Sequence, residues 1–130
     1  MSGPPTFLFA SLSVAVGGAA GAWLRYACGR AMGLTAFPWA TLLVNTAGSF
    51  AMGLLAGWLA QRGQGGEGWR LLLGVGLLGG FTTFSSFSLE LALMIERGQT
   101  LLAAGYALAA VGAGVLGLFA GLMLMRAAAA

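Results

Sequence analysis

Read as apolar against polar positions, the chain divides into four long apolar stretches separated by short breaks that are polar or marked by arginine. They run over about 7–26, 39–59, 71–95 and 101–125. A bilayer core about 30 Å thick requires roughly 20 apolar residues in a helix, and each stretch meets that requirement. The pattern predicts an all-α membrane protein in which one transmembrane domain of four helices occupies residues 1–130. Pro38 suits the first turn of the second helix. Trp39, Trp58 and Trp69 fall near span ends, where amphipathic rings favour the headgroup layer.

Glycines recur inside these stretches at helical spacing: Gly17 with Gly21, Gly53 with Gly57, Gly117 with Gly121. Small residues four apart let helix backbones approach closely in lipid. The segment 61–68 is the one hydrophilic loop of note, and its glycine-rich sequence reads as a plain connector. Residues 6–24 resemble a secretory signal core, but no basic side chain precedes them and further spans follow, so a retained helix is expected.

Composition narrows the function. Of 130 residues 59% are hydrophobic and 7% charged, far below the charged fraction of about 25% in soluble domains. There is no Asp, Lys or His, so most of the machinery of acid–base catalysis is missing and an enzyme is not expected. The lone Cys28 reads as a small apolar helix residue. No nucleotide-binding Gly-x-x-x-x-Gly-Lys-Ser/Thr motif is present. A net charge of +3 from scattered arginines is no nucleic-acid footprint.

Four spans would place Arg62, Arg70 and Arg126 on one side of the membrane and Arg25, Arg30 and Arg97 on the other. Three against three leaves the positive-inside rule without a preferred orientation. Two copies inserted in opposite senses could then pair about an axis in the membrane plane; the alternative is a fixed orientation set by subtler signals or by Arg25 being intramembrane.

Polar groups concentrate in two places. In the second stretch Thr41, Asn45 and Ser49 recur every four residues and share a helical face. Asn45 is either interhelical glue or a donor of two N–H groups to an anion. In the third, Gly79-Gly80-Phe81-Thr82-Thr83-Phe84-Ser85-Ser86-Phe87-Ser88-Leu89-Glu90 puts glycines, hydroxyls and an acid where lipid favours leucine. Local unwinding near Gly79 to Thr83, breaking the third helix near its centre, is one reading. A kinked helix whose hydroxyls bond back to their own backbone is the other. Phe81, Phe84 and Phe87 would lie along one side of a helix, as packing residues or as ring edges facing an anion. Arg25 and Glu90 could neutralise each other, or Glu90 could sit in a polar vestibule. Tyr106, alone among polar side chains in the fourth stretch, is an interface anchor or a donor near a pore.

These segments, with Gly17-Gly18-Ala19-Ala20-Gly21-Ala22-Trp23-Leu24-Arg25-Tyr26 and Trp39-Ala40-Thr41-Leu42-Leu43-Val44-Asn45, resemble the Fluc family, also called CrcB, in motif, order and spacing across nearly the full chain. The resemblance implies a passive channel that exports fluoride, built as an antiparallel dual-topology homodimer with two pores in a prokaryotic inner membrane. It also implies a structural Na+ ion at the dimer centre. Carried over by motif, Phe84 and Phe87 flank the fluoride path and Asn45 lines it. Gly79 and Thr82 supply main-chain carbonyls to sodium, Arg25 stands near the pore entrance, and Glu90 closes the third-helix motif. One departure is visible. Where the family carries hydroxyls after the fourth-helix tyrosine, Tyr106 is followed by Ala110 and Gly114. Conduction would then rest on Tyr106, Thr83, Ser85, Ser86 and Ser88, or flux would be lower, or a heteromeric partner subunit would take part. Two rivals remain: a proton-coupled exporter of the small multidrug resistance type, which needs an acid that the first helix lacks, and a non-transporting assembly protein.

Overall fold

A computed structural model of the chain describes residues 3–130 as an all-helical fold with four helices long and apolar enough to cross a membrane. α1 is Phe7–Met32 and α2 is Trp39–Ala60. The third span, Gly63–Glu96, is composite and ends in α3, Phe84–Glu96; α4 is Thr100–Ala129.

Local chemistry explains the ends. The Thr6 side chain accepts the Phe9 N–H at 3.3 Å and caps α1. Nothing between Tyr26 and Met32 breaks a helix, so α1 continues through Arg30 and stops at Gly33, whose φ of +71° suits a residue without a side chain. Pro38 precedes α2 rather than opening it, with Trp39 its first residue. Gly98, at φ +77°, turns the chain between α3 and α4.

The hydrophilic segment is more than a connector. Gly63–Gly66 forms a 3-10 turn and Glu67–Trp69 begins the third span, with Glu67 and Arg70 bridged at 2.8 Å. Arg70–Leu78 is then π-helical, a wider winding in which the Gly79 N–H reaches the Gly74 carbonyl five residues back. Gly79–Phe81 adds one α-helical turn, and Thr82 and Thr83 are extended, with ψ of 155° and 121°. The non-helical stretch is therefore the two threonines. Both glycines stay in the helix, and Phe81 falls on the other side of the extended pair from Phe84 and Phe87, so the three rings do not share a helical face.

Glycines decide which helices touch. A methyl group at Gly17 or Gly21 would overlap the Leu72 or Leu77 carbonyl, so α1 lies directly on the π-helical segment. Gly53 meets Leu118 and Gly121 meets Phe50, locking α2 against α4. Backbone contact this close gives dispersion energy that lipid tails cannot match. The buried apolar residues Phe87, Met94, Ala103 and Tyr106 form one cluster between α3 and the start of α4.

Candidate functional site

The extended Thr82–Thr83 pair is held by side chains from other helices. Asn45 Nδ2 donates to the Thr83 carbonyl at 2.9 Å, and the Thr83 N–H donates to Asn45 Oδ1 at 2.8 Å. This two-point clamp replaces the partners that Thr83 gives up by leaving the helix. Arg25 Nε donates to the Gly80 carbonyl at 3.2 Å, tying α1 to the turn before the pair. The Thr83 hydroxyl accepts the Ser86 N–H at 3.2 Å and so caps α3.

Asn45 is thus glue in part, and the geometry leaves a remainder. An amide carries two N–H donors, and Thr83 takes one. The second N–H belongs to a residue lining a cavity of about 290 Å³ with Ser49, Thr82, Thr83 and Phe84.

Glu90 is satisfied without an ion pair. Thr41 donates its hydroxyl to Oε1, and Tyr106 donates to Oε2 at 2.7 Å. Arg25 does not neutralise it; the two line one cavity of about 140 Å³ together with Thr41, Thr83 and Ser86. Two neutral donors satisfy both carboxyl oxygens at this depth. Tyr106 is no headgroup anchor, since it is the most buried side chain, at 1% exposure. Its ring packs edge-on against Phe37 and Phe87 with centroids 5.1 Å away from each.

The two phenylalanines of α3 have opposite environments. Phe87 lies in the Tyr106 cluster, whereas Phe84 is 79% exposed, and their ring centroids stand 6.0 Å apart. Ser85 is exposed, its hydroxyl 3.4 Å from that of Thr83. Ser88 returns its proton to the Phe84 carbonyl at 2.9 Å, and Thr82 does the same to Leu78. Those two hydroxyls follow the back-bonding pattern.

The structure therefore gathers Asn45, Thr82, Thr83 and Phe84 around one cavity, and Arg25, Thr83, Ser86 and Glu90 around the other. Tyr106 joins through Glu90. Gly79 stands one helical turn before the pair. Phe37 escaped the sequence reading. It lies in the loop before α2 and acts only by tertiary contact with Tyr106 and Trp39, for which no local pattern exists.

Two comparisons with known proteins bear on this arrangement. A family model described as CrcB-like protein, Camphor Resistance (CrcB), matches residues 12–122. A protein named fluoride-specific ion channel FluC from Novosphingobium aromaticivorans is 56% identical over 125 residues, covering 92% of this chain and 98% of the relative. One of the same name from Erythrobacter litoralis is 51% identical, with 95% of each chain covered. Fluoride-specific ion channel FluC 2 of Nitrobacter hamburgensis is 54% identical over 88% of this chain and 95% of its own.

Proposed function

We propose, because the chain belongs to the CrcB family and its named relatives are ion channels rather than enzymes, that it is a passive fluoride-selective channel in a bacterial inner membrane. It exports fluoride and so lowers its cytoplasmic concentration. The observation that carries this reading is the cavity beside the extended Thr82–Thr83 pair, walled by neutral donors and the exposed Phe84 ring. Fluoride holds its water tightly, so a pore must replace that water with donors yet release the ion. Neutral amide and hydroxyl groups and positive ring edges meet both demands, whereas a cationic trap meets only the first.

The working unit we infer is an antiparallel homodimer, with a different partner subunit as the alternative composition. Balanced arginines support dual insertion. Exposure supports a covering partner: 8258 Å² is accessible, against about 6,400 Å² expected for a compact monomer of 13.1 kDa. In this reading Asn45, Phe84, Phe87, Thr83, Ser85, Ser88 and Tyr106 line or support the fluoride path, with Arg25 and Glu90 near its mouth. The third span acts as a broken helix whose break is part of the site.

Sodium fits the same break. The Thr83 N–H is turned to Asn45 instead of the Gly79 carbonyl, and the Ser86 N–H to the Thr83 hydroxyl instead of the Thr82 carbonyl. Main-chain oxygens deprived of helical donors suit a small alkali cation, and Gly79 and Thr82 of two copies would furnish four. Bound there, the ion would supply structural support and a favourable potential for anions.

The test is purified protein in liposomes with a fluoride electrode. Fluoride efflux well above that of empty vesicles, with chloride retained, is expected. Efflux equal to the empty-vesicle rate rejects the channel.

A further inference from the structure

Ser49 stands one helical turn beyond Asn45 on the same face of α2 and lines the same cavity of about 290 Å³. A serine inside an apolar helix ordinarily gives its proton to the carbonyl four residues back, as Ser13 and Ser88 do here at 2.9 Å. Among the described residues, none of the side-chain hydrogen bonds engages Ser49, and its oxygen is not enclosed. Of the other hydroxyls of the cavity, Thr82 gives its proton to the Leu78 carbonyl, and Thr83 accepts the Ser86 N–H and lies 3.4 Å from the Ser85 hydroxyl. On the facing helix, Gly114 brings bare backbone to Ser49, since a Cβ built there would lie 3.5 Å from Ser49 Oγ. α4 carries no hydroxyl after Tyr106, so on this side Ser49 is the group able to solvate an ion.

We propose that Ser49 is a fluoride-coordinating residue, its O–H and the spare N–H of Asn45 forming a pair of neutral donors for the ion in this cavity. The inference rests on the channel reading above. Side chains four apart on a helix have Cβ atoms about 5–6 Å from each other, a span that one small anion bridges with hydrogen bonds to both. Removing this hydroxyl breaks no bond within the protein, which separates conduction from folding.

Fluoride efflux from liposomes and melting temperature in detergent are measured for the native chain, Ser49→Ala, Ser49→Thr and the double variant Ser49→Ala with Gly114→Ser. The double variant returns the hydroxyl to the cavity from α4. Expected is a loss of roughly tenfold to a hundredfold in Ser49→Ala, the range for one hydrogen bond to an ion, at unchanged melting temperature. At least one hydroxyl-bearing variant should recover the rate. Native efflux in Ser49→Ala, a loss that tracks a lower melting temperature, or a loss that neither hydroxyl variant recovers overturns the assignment. A native chain that releases no fluoride instead refutes the channel reading itself.

Discussion

Asn45 has two separable duties, and replacing it tests both. Asn45→Leu keeps the volume and deletes the bonds of 2.8 and 2.9 Å to Thr83. Side-chain hydrogen bonds in membrane proteins average about 0.6 kcal/mol, which puts the combined loss at no less than about 1 kcal/mol. Leaving the Thr83 N–H and carbonyl unsatisfied, at about 1–3 kcal/mol each, raises the upper bound to about 6 kcal/mol. Each kcal/mol lowers the melting point of a chain of this size by roughly 3–5 °C, so a fall of at least about 3 °C is expected. Flux should fall further than folding does, because the anion also loses a donor. Asn45→Asp sharpens the contrast. It keeps an acceptor for the Thr83 N–H, but a carboxylate about 4 Å from a passing anion adds roughly 4 kcal/mol of repulsion at an effective dielectric of 20. That is a rate loss on the order of a thousandfold. The assay is fluoride efflux per folded protein, paired with a melting curve. Asn45→Asp conducting within about tenfold of native, or Asn45→Leu melting within about 1 °C of it, is incompatible with these two duties.

Phe84→Ile should leave melting nearly unchanged, because the ring is 79% exposed in the protomer, while fluoride efflux falls by more than about tenfold; a concordant loss of both would point to packing alone. Tyr106→Phe removes the 2.7 Å bond to Glu90 but keeps the ring in its aromatic cluster, and should cost about 1–3 kcal/mol in detergent unfolding. Gly21→Ala should abolish recovery of folded protein on size exclusion, since its Cβ would overlap the Leu77 carbonyl, whereas Gly29→Ala, with open space around it, should behave as native. Replacing sodium by a large organic cation during purification should lower the melting temperature of the protein if Gly79 and Thr82 carbonyls hold the ion.

What the sequence made legible was set by periodicity. Four apolar runs of bilayer length yield four spans, and glycines four apart mark the faces where α1 and α2 meet their neighbours. The shared face of Thr41 and Asn45 was legible for the same reason, and both side chains do turn to the third span. Which residues of the expected Gly79 to Thr83 unwinding leave the helix was not. Glycine's low helix propensity singles out Gly79 and Gly80 within it, yet both remain helical, Gly80 with α1 packed against it and its carbonyl held by Arg25. Thr82 and Thr83 leave the helix because Asn45, 38 positions earlier, accepts and donates at Thr83. Glu90 was unreadable in a similar way: its partners Thr41 and Tyr106 come from two other helices, and no local pattern announces two neutral donors in place of a cation.

Surplus hydrogen-bonding capacity is what would turn this packing into ion selectivity. Around the extended pair the strongest bonds are closed within the protein, so the backbone is stable without water. What remains is unequal on the two sides. Toward α2 the leftovers are donors, the second N–H of Asn45 and the O–H of Ser49, with the Phe84 ring alongside. Along the backbone the leftovers are acceptors, the Gly79 and Thr82 carbonyls relieved of their helical partners. A membrane interior penalises either surplus by several kcal/mol per group, so each persists only where something of opposite character answers it. Donors without acceptors call for an anion, and carbonyls without donors call for a hard cation. The carbonyl surplus arises where Thr83 and Ser86 turn their N–H groups from Gly79 and Thr82 to side chains, whereas the donor surplus lies on Asn45 and Ser49. If fluoride and sodium are the answering ions, one unwound segment serves both: donors on α2 face the anion and freed carbonyls face the cation.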